Sequence, residues 1–262
     1  MSVDANNKIH RFELKIPCDR IINELDSMLG RNDYVAAKSH LKFWLAEAKS
    51  VADQRAALLL SNELMGLSRK LGEKENAIAF AEAALVLIDE MEIPQNVGAA
   101  TTYINCATVY KAFGDAERGI PLFEKAKEIY EASLDKGDDR LGGLYNNMAL
   151  AFVDLGRFEE AHALYEKAIS VMASVEDKEP EQAITYLNMA SAVEAELGLE
   201  DGEKKISALL DRAQLLLDVG KSRNDGNYAF VCEKCASVFG YYGRFLYENE
   251  LHARAGRIYE GA

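Results

Sequence analysis

Apolar positions along this 262-residue chain recur at helical spacing, in paired runs separated by short turns. The clearest pair lies between Tyr145 and Ala168. Large residues at Tyr145, Met148 and Phe152, and then at Phe158 and Tyr165, keep the spacing of one helix face. Small residues at Ala149, Ala161 and Ala168 mark places where two helices must approach closely. Gly156 separates the runs, and glycine enters the left-handed backbone region without a Cβ clash. The stretch predicts two amphipathic helices joined by a tight turn.

The pattern returns along the chain. A step of 42 residues back gives Tyr103, Cys106, Ala107, Tyr110, Gly114, Phe123 and Ala126, and another gives Leu64, Gly72, Ala77 and Ala84. Gly72, Gly114 and Gly156 are therefore evenly spaced. A step of 41 residues forward from Tyr145 gives Tyr186, Met189 and Ala190. A period of this size predicts a solenoid of helix pairs, each packing on its neighbours.

These positions resemble the tetratricopeptide repeat (TPR) family. The aromatic at Tyr103, Tyr145 and Tyr186, the small residue at Ala107, Ala149 and Ala190, and the turn glycine carry the resemblance. Ala77/Ala161, Phe123/Tyr165 and Ala84/Ala126/Ala168 complete it, with Gly119 replacing one alanine. The period exceeds the common value of roughly 34, so each helix is about a turn longer. With the Asn-Asn-Met-Ala run at 146–149, the unit is similar to kinesin light chain repeats. The resemblance covers roughly residues 17–262. It implies an all-α fold, a right-handed α-solenoid of about six antiparallel helix pairs forming a TPR superhelix. The expected organisation is a polar tail over residues 1–16 and one solenoid domain over 17–262.

Taken in order, the tail holds a short alternating piece from Ile9 to Ile16, and Pro17 suits a helix start. Ile21, Ile22, Leu25, Met28 and Leu29 form the first apolar face, Asn32-Asp33-Tyr34 turns, and Tyr34, Ala37, Leu41 and Trp44 line the second helix. The second unit runs from about Ala52 to Met91, and Pro94 and Gly98 link it to a third at Ala99–Leu134. The segments 135–139 and 177–180 are the next links. The fifth turn is expected at Leu197–Gly202, about four residues longer, with its second helix aligned through Leu210 and Ala213. Gly220–Gly226 reads as a loop. The sixth unit reads as a long first helix, Asn227–Tyr247, with Gly243, Ala255, Tyr259 and Ala262 at packing positions and a glycine-free turn at Glu248–Glu250. Without a polar closing helix, Ile258, Tyr259 and the Tyr241–Phe245 region present apolar surface, and a homodimer through the C-terminal repeat is expected. Tyr241, Tyr242, Phe239 and Phe245 read either as core or as a contact surface.

Charge narrows the partners. The net charge of −13 argues against nucleic acid and against anionic membranes, both of which attract basic surfaces. No uncharged apolar stretch reaches 18 residues, and the first 16 residues carry charge without an apolar run. With free cysteines, a cytoplasmic location is expected. Cys106 occupies a core position. Cys232 and Cys235 form a CxxC pair, readable as half a zinc site or a redox pair, but helical spacing and the lack of a second pair favour packing. His10, His40, His162 and His252 are scattered, and adjacent acids such as Glu159-Glu160 diverge on a helix. No phosphate loop, nucleophile elbow or zinc-protease motif occurs, so a non-enzyme without cofactor is expected.

Asn105, Asn147 and Asn188 recur two residues after the first aromatic of their units. The TPR resemblance implies that first helices line a concave groove and that this position points into it. An amide offers donors and an acceptor, so such a ladder suits an extended peptide backbone, or else bridges between repeats. The same implied groove includes Asn62, Arg69, Lys70, Thr101, Thr108, Lys111, Asn146, Asp154, Ser191 and Glu194. The basic residues of a chaperone-tail carboxylate clamp are missing at the matching positions Asn62, Gly66, Thr101, Asn105, Gly143 and Asn147. The expected function is a protein- or peptide-binding scaffold. The alternatives are a regulatory TPR module, such as a bacterial peptide sensor or response-regulator antagonist, and a structural subunit.

Overall fold

The computed structural model describes residues 16–219 and 225–261. The tail reading, His10, most of the Gly220–Gly226 loop and Ala262 lie outside these residues. The described chain is all α, with no strand among its residues: α1 (Cys18–Gly30), α2 (Tyr34–Ser50), α3 (Gln54–Lys70), α4 (Lys74–Glu90), α5 (Val97–Ala112), α6 (Ala116–Ser133), α7 (Asp139–Asp154), α8 (Phe158–Ala173), α9 (Glu179–Val219), α10 (Gly226–Tyr241) and α11 (Phe245–Tyr259). Gly198 (φ 80°, ψ 169°) breaks α9 into two arms, residues 179–197 and 199–219. Helices pack in consecutive pairs. The chain divides into two compact units with the boundary between Ile93 and Pro94.

Local chemistry sets the helix ends. Asp33, Asp53, Asn96, Asp115, Asp138 and Asp225 each cap a helix by accepting a backbone N–H with the side chain. Within four pairs the turn closes around a left-handed glycine: Gly72, Gly114, Gly156 and Gly243. The following amide then donates back to the carbonyl five residues earlier, as in Arg157 N to Phe152 O at 2.9 Å and Arg244 N to Phe239 O at 2.8 Å.

Each unit has its own core. In the N-terminal unit Ile21, Leu25, Leu41, Leu60 and Leu64 are buried together. In the C-terminal unit the last helices gather Leu187, Leu210, Tyr228, Cys232, Cys235 and Phe239. The small positions are close approaches: a Cβ on Gly119 would sit 2.9 Å from the Ala107 carbonyl oxygen. Ala77, Ala84, Ala107, Ala126, Ala149, Ala161 and Ala168 are all fully buried.

Two turns differ from the sequence reading. The fifth turn is at Gly198, not across Leu197–Gly202. Gly202 is instead a buried contact residue in the second arm of α9, where a Cβ would meet Val193 Cγ1 at 3.2 Å. In the sixth pair Gly243 (φ 79°) is the turn, and Glu248–Glu250 lie inside α11. The first helix there is short, Gly226–Tyr241, because the left-handed glycine ends it. The aromatic cluster splits: Phe239 is fully buried, while Tyr241 and Phe245 are exposed.

Candidate functional site

The predicted groove residues fall in both units, and each unit is described by itself. In the N-terminal unit all three are on α3. The Asn62 amide donates to the Leu58 carbonyl of its own helix at 2.9 Å. Arg69 and Lys70 are exposed, and the Lys70 ammonium stands 4.8 Å from the Tyr34 ring centroid. On the same helix the Glu63 carboxyl has its pKa raised, first by burial and then by the nearby charge of Asp26.

In the C-terminal unit the first helices of successive pairs lie side by side: α5, α7, the first arm of α9, and α10. A polar bridge ties each neighbouring pair. Lys111 Nζ on α5 lies 3.7 Å from Asp154 Oδ2 on α7. Asn188 Nδ2 on α9 donates to Asn146 Oδ1 on α7 at 3.0 Å. Tyr242, at the C-terminal end of α10, donates its hydroxyl to Glu194 Oε2 on α9 at 2.7 Å, and Tyr241 donates to the other carboxylate oxygen. Burial and then the Glu194 bond push the Tyr242 hydroxyl well above its ordinary range.

The remaining predicted residues sit among these bridges. Asn105 and Asn147 are half-buried at matching places on α5 and α7. The Asn147 amide makes no hydrogen bond among the described residues. Thr108 donates to the Ile104 carbonyl at 2.8 Å, and Ser191 to the Leu187 carbonyl at 3.3 Å, so both hydroxyls turn back on their own helices. Thr101 shares a 2.7 Å bond with the Tyr130 hydroxyl of α6.

The face thus holds one open amide, Asn147, flanked by a bridged pair. Residues 98–174 match the family model for the tetratricopeptide repeat. This match spans α5 to α8. No curated protein matches the sequence. Among solved structures, BtubC (BKLC) from P. vanneervenii is similar with a TM-score of 0.66 and 20% identity, covering 78% of this chain and 81% of that chain. A kinesin light chain-type protein of Podosopora anserina with nearly identical TPR-like repeats gives 0.53 and 16%, over 77% and 94%. NprR in complex with its cognate peptide NprX gives 0.56 and 18%, over 92% and 69%.

Two features of the chain were absent from the predicted site. Tyr241 and Tyr242 were legible as aromatics, but their grip on Glu194 depends on the packing of α10 beside α9. Arg254 on α11 is 3% exposed and reaches back to α9 and α10, donating to the Leu217 carbonyl, to Asp218 at 2.6 Å and to the Tyr228 hydroxyl of α10 at 3.0 Å. A cation placed beside the core residue Ala255 gave no sequence signal for such burial. The cysteines are packing residues: Cys106, Cys232 and Cys235 are buried, and burial pushes the Cys106 and Cys235 thiols up to about 12. Among the described residues no cluster of His, Cys, Asp and Glu is arranged to hold a metal, and no helix is long and apolar enough to cross a membrane.

Proposed function

We propose that the protein is a non-catalytic scaffold that binds an extended peptide or protein segment across its first helices. The observation that carries this reading is Asn147: a half-buried amide at the repeated asparagine register, on a face of aligned first helices, with its donors and acceptor unused. Asn105 and Asn188 flank it at the same register on the adjacent helices, and the Oδ1 of Asn188 is left free by its bond to Asn146. The NprR structure, whose TPR-like chain holds a peptide, supports the reading by analogy of fold. It also keeps the regulatory alternative, a peptide-sensing module, as the second reading. Nucleic acid and anionic membranes are poor partners for a chain of charge −13. Self-association through the last pair belongs to the same proposal, because Phe245, Leu246 and Tyr259 are 63%, 90% and 60% exposed on α11. Sedimentation at high protein concentration tests that part.

Panning a random-peptide phage library against the protein tests the main reading. Enriched peptides should compete with one another, and their contacts should map by cross-linking to α5, α7 and the first arm of α9. Enrichment of nothing, or cross-links confined to the second helices, would reject it.

A further inference from the structure

A cleft of about 570 Å³ opens in the C-terminal unit between the second arm of α9 and the α10–α11 turn, apart from the asparagine row. Leu199, Ile206 and Leu210 supply apolar surface on the α9 side, and Tyr241 and Tyr242 line it from the end of α10. The two rings are fixed edge to face, with centroids 4.9 Å apart, and both hydroxyls are held by the single carboxylate of Glu194. Tyr241 is nevertheless 65% exposed, so ring surface is presented to the cleft rather than used in the core. Glu200 and Glu203 also line it, and among the described residues neither is ion-paired. Arg244 lines the same cleft, but its guanidinium is already engaged by Ser207 at 3.0 Å and Asp211 at 2.8 Å, which balances its charge.

We propose that this cleft receives an arginine side chain from the bound protein segment. Rigid tyrosine rings attract a flat guanidinium, the apolar wall accommodates its methylene stem, and the unpaired carboxylates provide bidentate acceptors. A neutral or acidic side chain gains nothing from those carboxylates. The inference rests on the reading that the partner is a protein segment, and it does not depend on the asparagine row.

The test uses two capped tripeptides, acetyl-Leu-Arg-Leu-amide and its citrulline counterpart, which has nearly the same shape without the charge. Binding to the full chain is followed through the ring signals of ¹³C-labelled tyrosines. The arginine peptide should bind about 5- to 30-fold more tightly than the citrulline peptide. The preference should disappear in Glu200→Gln/Glu203→Gln, weaken in Tyr241→Leu, and persist in Asn147→Ala. Equal binding of the two peptides, no binding of either, or a preference that survives the double glutamine variant overturns the proposal and leaves the asparagine reading standing. Loss of the preference in Asn147→Ala would place the arginine site elsewhere and equally overturn it.

Discussion

Asn188 Nδ2 donates to Asn146 Oδ1 across 3.0 Å, joining two first helices 42 residues apart in sequence. The bond separates two roles within one sequence register. Asn188 spends its donor on holding repeats together, whereas Asn147 spends nothing. The repeated asparagines are therefore not equivalent, and substitutions should tell them apart.

Asn188→Ala should lower stability by about 0.5–1.5 kcal/mol through loss of the bridge, less a few tenths regained from the better helix propensity of alanine. Asn147→Ala should leave stability unchanged or slightly raised. Urea melts of the two variants provide the comparison. Equal destabilisation would mean that both amides bridge.

Close packing gives a sharper contrast between two glycines of the same unit. A Cβ on Gly143 meets nothing within 4 Å, so Gly143→Ala on α7 should stabilise by about 0.5–1 kcal/mol. Gly119→Ala on α6 drives a methyl against the Ala107 backbone and should cost about 1–3 kcal/mol despite its better propensity. Ala149→Leu should cost a similar amount. Melting temperatures of the same sign for both glycine variants would contradict the assigned contact.

The repeat was readable from sequence because helix packing demands small residues and turn glycines at fixed places. Gly72, Gly114 and Gly156 met the second demand and were placed correctly. The fifth turn was not, because the distance from the small residue to the turn glycine grows from seven residues (Ala149 to Gly156) to eight (Ala190 to Gly198). The buried Gly202 then resembled a turn residue. In the sixth pair, the polar run Glu248–Glu250 resembled a turn although it lies within α11. The asparagine row was legible as a register. Which amides are engaged was not, since a side-chain bond between helices depends on their rotation and separation.

Arg254 ties the last helix to the end of α9. Arg254→Met should destabilise by about 2–3 kcal/mol, because several charge-assisted bonds are lost while their acceptors Asp218 and Glu250 keep access to water. Arg254→Lys should recover part of the loss but not the forked geometry. Denaturant midpoints of the three proteins check the order.

Burial raises the Cys106 and Cys235 thiols from an ordinary 9.0 to about 12, and the Tyr145 and Tyr228 hydroxyls from 10.0 to about 12. For these groups the fold favours the neutral form. Their contribution is fully present below about pH 9 and is lost as pH rises from there toward 12. Stability should accordingly fall across that window, as measured by urea midpoints at successive pH values. In the native protein at pH 8, iodoacetamide should modify the half-buried Cys18 well before the three buried cysteines.

The most direct test of the scaffold reading is one pair of measurements on Asn147→Ala: its affinity for the peptides selected on the wild-type protein, and its melting temperature. One or two lost hydrogen bonds should weaken binding by about 0.5–3 kcal/mol, roughly 2- to 150-fold, with the melting temperature unchanged. The triple variant with Asn105→Ala and Asn188→Ala should weaken it further, on the order of 10- to 1000-fold overall, with a small fall in melting temperature from the lost Asn188 bridge. Unchanged affinity in Asn147→Ala, together with a lower melting temperature, would contradict the account and make the asparagine row purely structural.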